Sequence, residues 1–128
     1  MKAFVPYLLW NDQQIEINSL QELERIINIL IAENQEIPVA IQLVVNEKTG
    51  MLITVGSENS HTEFYSEDSR PPVSISHGGN EGEDLVYFFH GGVLSSAPRK
   101  TCIPFILAME ALQKYYLTGE KPNTLSWF

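Results

Sequence analysis

The chain has 128 residues, 44% of them hydrophobic, with eight Lys and Arg against sixteen Asp and Glu and a single cysteine. This length suits one domain with a genuine core; the composition excludes wholesale disorder, and the lone cysteine excludes an internal disulfide. The formal net charge of −8 makes nucleic acid a poor partner, because binding it depends on neutralising phosphates with Lys and Arg; a basic protein partner would be attracted instead, the alternative being an acidic surface that serves solubility alone.

The opening MKAFVPYLLW imitates a signal peptide. However, Pro6 interrupts the apolar run, and NDQQIEI follows without a small-residue cleavage site. No apolar stretch reaches the roughly 20 residues of a membrane span. A cytoplasmic, soluble protein with no membrane partner is expected.

Phe4 to Trp10 reads as a first strand, with Pro6 confining it to an edge or to its early part. Asn11-Asp12 makes a turn and Gln14 to Ile17 a returning strand. Ser19-Leu20-Gln21-Glu22 is a capping box, in which the serine oxygen takes one orphan N–H and the glutamate reaches back to another. The helix it opens carries Leu20, Leu23, Ile26, Ile27, Leu30 and Ile31 on one face and ends near Asn34. Val39 to Val45 is apolar on both sides except at Gln42, as a central strand is, and Asn46 to Gly50 turns it into a return at Met51 to Val55.

Between Gly56 and Asp84 the composition changes to Ser, Asn, Gly and Pro around two β-like pieces, Thr62 to Tyr65 and Val73 to Ser76. From Glu58 to Asp84 seven acids face one base, Arg70, so a net −6 is concentrated there and −2 is left for the rest. Read conservatively, these are solvated loops. Read functionally, they form an acidic docking surface with His61 and Tyr65 as further contact groups. Leu85 to Phe89 is another strand, ended or bulged by Gly91-Gly92, and Val93 to Lys100 leads through Pro98 towards the last helix. That helix, residues 104–118, opens at Pro104 and is expected to turn Ile106, Met109, Leu112, Tyr115 and Tyr116 inwards. Thr118-Gly119 and Pro122 end it, and the apolar tail at Trp127-Phe128 is expected to fold back.

Groups for catalysis are few. His61-Thr62-Glu63 matches the first half of a zinc-deaminase signature, but the P-C-x-x-C pair that completes such a shell is missing, since only Cys102 exists. His61, His77 and His90 lack the i, i+4 spacing of a helical zinc pair, and Cys102 reads as a buried, inert thiol. The glycine pairs match no phosphate-binding loop, and no G-x-S-x-G elbow is present. The residues therefore point away from an enzyme, with no catalytic residue, metal or cofactor expected. The alternative of another class is a small enzyme or small-molecule binder using a pocket lined by His61, His77 and His90; a scaffold protein with several partners is a third.

From Met51 onward the sequence resembles an immunity-protein family of bacterial polymorphic toxin systems, commonly paired with deaminase-type toxins. The resemblance lies in MLITVGS at 51–57, FYS at 64–66, LVYFFHGG at 85–92 and, most clearly, IPFILAMEALQKYYLTGEKPNTLSW at 103–127. Pro104, Ala111-Leu112, Thr118-Gly119, Pro122 and Trp127 stand at that family's proline-opened helix, T-G-x-x-P turn and closing tryptophan; Tyr115-Tyr116 depart from its phenylalanine-leucine. The resemblance implies an antidote that binds the C-terminal domain of a cognate toxin.

Residues 1–128 are thus expected to form one α+β domain, a mainly antiparallel sheet with helices 19–34 and 104–118 packed on one face. The expected function is occlusion of a nucleic-acid-targeting toxin of deaminase or nuclease type. The expected contact residues are Glu58, His61, Glu63, Tyr65, Glu67, Asp68, Glu81, Glu83 and Asp84.

Overall fold

The computed structural model describes residues 4–79 and 83–128. A hairpin of β1 (Tyr7–Trp10) and β2 (Gln13–Glu16) turns at Asn11, whose φ of 49° suits the left-handed region. Helix α1 (Leu20–Glu33) follows, capped as its sequence predicts: Ser19 Oγ accepts from Glu22 N–H at 3.1 Å. Then come β3 (Val39–Val44), β4 (Thr49–Val55), β5 (Asn59–Ser66) and β6 (Val73–Ile75). These strands make one path, β2-β1-β3-β4-β5-β6, antiparallel throughout. Pro6 lies just before β1, so β1 sits inside the sheet rather than at its edge.

Alternation along the strands divides the sheet into two sides. On one side Leu8, Ile41, Leu43, Met51, Ile53 and Phe64 join Leu23, Ile27 and Leu30 of α1 in the main core. Helix α2 (Phe105–Thr118) packs on the same side, as expected. Its buried face is Ala108, Ala111, Leu112 and Tyr115, whereas Ile106 is 74% exposed. The expected stripe therefore holds at Leu112 and Tyr115, and at Met109 and Tyr116, which pack partly buried against the core; it is corrected at Ile106, while Ala108 and Ala111 join the buried face and let the helix lie close to the sheet. Tyr115 Oη bonds Thr49 Oγ1 at 2.9 Å and accepts from Val45 N–H at 3.3 Å, joining the helix to the β3–β4 turn. Gly119 closes α2 at φ 71°, and its carbonyl accepts from Asn46 Nδ2.

The stretch after Gly92 is a second correction. It holds β8 (Val93–Pro98), paired with β7 (Leu85–His90) around a two-residue turn in which Gly91 and Gly92 both have positive φ. A 3-10 turn (Arg99–Thr101) and β9 (Cys102–Pro104), which pairs with β5, follow before α2 starts. The segment from Thr101 is therefore strand first and helix second. The β7–β8 hairpin joins the main sheet where Phe89 lies parallel to Val39, and Gly92 N–H donates to Asn11 Oδ1 at its tip. Phe88 and Ala97 pack on Ala40 and Leu52, a small separate core on the side away from the helices. The tail folds back as expected. Trp127 bridges Ser76 and stands edge-on to Phe64, while Phe128 N–H donates to Ile75 O. Among the described residues no helix is long and apolar enough to cross a membrane.

A candidate partner-binding cleft

Strand β5 carries Phe64 into the main core, so alternation turns His61, Glu63 and Tyr65 to the opposite, helix-free side. The three contact residues expected on this strand are thus brought onto one face. Tyr65 is exposed, whereas His61 is buried at 4% exposure and shapes the site from beneath. Its ring is held at both nitrogens, Nε2 to Glu63 Oε2 and Nδ1 to Thr101 Oγ1, each at 2.6 Å, and it stacks on Phe88 with 5.7 Å between ring centroids. Thr101 hydroxyl also donates to Pro98 O at 2.7 Å, which links the imidazole to the end of β8.

The hydrogen bond from His61 holds the Glu63 carboxyl below its usual range, against the opposing effect of partial burial; the charges of His61 and then His90 act in the same direction as the bond. Glu63 is therefore an ionised group with 35% of its side chain still exposed. It lines a cleft of about 470 Å³ whose walls include Phe88, His90, Ser96, Lys100 and Phe128. Two smaller hollows, of about 160 and 120 Å³, continue across the face past Leu52 and Gln42, and His90 borders all three. His77 lies off this lining, edge-on to Phe128. A hollow of similar size lies at the end of α1, lined by Glu33, Asn34, Ile37 and Phe89.

The other expected contacts do not converge on the cleft. Glu58 is exposed before β5, with its carbonyl accepting from Phe105 N–H at 2.8 Å. Glu67 and Asp68 are exposed beyond the other end of that strand, on the order of 25 Å away; Asp68 pairs with Lys48 at 3.4 Å. Glu83 and Asp84 are exposed before β7, and Asp84 pairs with Arg99 at 3.1 Å. Glu81 lies outside the described residues. The described acids are thus spread along and around the face, with Glu63 alone among them lining the cleft.

The half-signature His61-x-Glu63 has a plain structural use, a bonded pair on one side of a strand. Cys102 stands opposite His61 in the β5–β9 register, with burial pushing its thiol pKa up. Among the described residues no group of three or more His, Cys, Asp or Glu is placed to hold a metal ion. Phe88, Ser96 and Thr101 were not singled out by the sequence, because only the folding of the β7–β8 hairpin across the sheet brings them to Glu63.

Comparison with curated proteins gives no match. The model of a protein family described as immunity protein Imm1 matches residues 11–128, in agreement with the immunity-protein resemblance of the motifs from Met51 onward. With all but its first ten residues matched, the chain belongs to the Imm1 family of immunity proteins.

Proposed function

We propose that this immunity protein acts in the cytoplasm on the C-terminal domain of its cognate toxin, one that modifies or cuts nucleic acid as a deaminase or nuclease. It works by occlusion, without turnover, as part of a polymorphic, contact-dependent toxin system. The observation that carries the reading is an ionised glutamate lining an open cleft, on the helix-free side of the sheet, in a chain of net charge −8. A toxin that acts on nucleic acid needs a positive groove for its substrate, and carboxylates on a rigid sheet compete for that groove. Glu63 and Tyr65 form the centre of the proposed contact, with Glu58, Glu67, Asp68, Glu83 and Asp84 around it and His61 supporting Glu63; Glu81 is a further proposed contact residue, outside the described residues.

The test is protection of toxin-expressing cells. Reversing Glu63, Glu67 and Asp68 to lysine together is expected to abolish protection while circular dichroism still shows the folded protein, with a cooperative melting transition lowered by the loss of the His61–Glu63 bond. Full protection by that folded variant overturns the assignment of the surface. The cleft also favours a second reading, a small-molecule site using His61 and His90, since both line it. Stoichiometric zinc or a retained small molecule in the purified protein would support that reading over the first.

A further inference from the structure

The β8 strand pairs with β7 and with no other strand among the described residues. Its free edge can be read from the register. Arg99 N–H donates to Asp84 O, so in the antiparallel ladder the residues that face β7 alternate from there: Ala97, Ser95 and Val93. Leu94, Ser96 and Pro98 direct their backbone groups the other way. Pro98 is suited to this place because it lacks an N–H, and its carbonyl is taken by Thr101. Leu94 and Ser96 are left with two N–H and two C=O groups outward.

Pro98 closes one end of this edge, and among the described residues nothing blunts the rest of it. No residue from Val93 to Pro98 is charged, and Leu94 is 54% exposed. The edge also borders the cleft, since Ser95 to Pro98 line it in succession, across from Glu63. One Glu63 oxygen, Oε2, is held by His61; Oε1 has no partner among the described residues. Lys100 lines the cleft too, but its Nζ lies 5.9 Å from the centre of the Phe128 ring and makes no ion pair with Glu63.

From these observations, and resting on the immunity reading above, we infer that an extended segment of the toxin adds to the β8 edge as a further strand and places a lysine or arginine in the cleft against Glu63. Main-chain bonds to Leu94 and Ser96 supply the register, and the cleft reads one side chain. Its apolar walls, Phe88 and Phe128, suit the aliphatic stem of such a residue, and the carboxylate suits its head. The chain's net −8 favours a cationic segment over an acidic or neutral one.

The test uses the full-length protein and its toxin domain, captured by pull-down and catalytically disabled. Ser96→Pro removes an outward N–H and leaves the bonds to β7 in place; Glu63→Gln removes the charge; Glu110→Gln, on α2, removes an equal charge on the helix side. Titration calorimetry is expected to show at least tenfold weaker binding for the first two and wild-type binding for the third. In the wild-type complex, amide exchange at Leu94 and Ser96 is expected to slow. Unchanged exchange at both amides overturns the added strand whether or not Ser96→Pro folds, and leaves the immunity reading standing because binding is itself observed. Protection of the same amides in the free protein that is lost on dilution assigns the edge to a second copy and overturns the toxin segment. A wild-type protein that binds no toxin domain removes both the reading and the inference.

Discussion

At the scale of single residues, His61 and Glu63 matter because a spacing of two on a strand puts both on one side. Only part of that is legible in the sequence: a β-like piece from Thr62 to Tyr65 puts Glu63 and Tyr65 on one face, whereas the strand's reach to His61 and the pairing come from the fold. Thr101, which fixes the other ring nitrogen, is 40 positions away, and no local pattern predicts that meeting. The pair also makes stability depend on pH. Because the folded Glu63 carboxyl lies below its ordinary value near 4.5, its contribution is complete above that value and is lost as the pH falls through the lower, folded one. Glu63→Gln is therefore expected to cost about 1 kcal/mol at neutral pH, with the gap to wild type closing in strong acid; urea unfolding at both pH values measures it. The intervening residue makes a different prediction. Thr62 is fully buried and its Oγ1 has no hydrogen-bond partner among the described residues. Thr62→Val removes that unpaired hydroxyl within a strand and is expected to stabilise by about 1 kcal/mol, read from the shift in melting temperature.

At the scale of elements, α1 and α2 show why one helix is read correctly and the other only in part. In α1 the large apolar residues at helical spacing, Leu23, Ile26, Ile27 and Leu30, are buried, and the exposed Ile29 falls outside that spacing, so periodicity gives the face directly. In α2 Leu112 and Tyr115 are buried as the periodicity predicts, but Ala108 and Ala111 share their face while Ile106 is exposed, and a reading that weights large side chains takes in Ile106 and passes over the two alanines. Two substitutions separate the faces. Ala111→Leu is expected to destabilise by about 2 kcal/mol through overpacking, whereas Ile106→Gln is expected to stay within about 0.5 kcal/mol of wild type; chemical denaturation decides between them. The β8 strand escaped notice for another reason. Its VLSSAP has neither strict alternation nor a run of β-branched residues, and it becomes a strand because the Gly91-Gly92 turn lays it along β7. Elements that owe their form to a partner strand are those a local pattern conceals.

At the scale of the molecule, the α+β class and the side of the sheet that carries the helices follow from local patterns, while the cleft depends on a long-range fold of the hairpin. The net −8 acts over the same scale. Association with a cationic toxin domain is expected to slow several-fold as ionic strength rises from low to above physiological, with dissociation changing less, because steering is screened beyond about 10 Å at 0.1 M salt; stopped-flow mixing at graded salt measures both rates. The separation of the two cores has a further, evolutionary consequence. The helix side holds the large core, whereas the hairpin that borders the cleft is seated mainly on the small cluster of Phe88, Ala97, Ala40 and Leu52, with Val86 against it and Phe89 as its link to the large core. Changes on opposite sides of the sheet share few contacts, so their costs add instead of compounding. A lineage can thus redraw the hairpin to follow an altered toxin, losing and regaining small increments of stability there, while the helix side keeps the chain folded throughout.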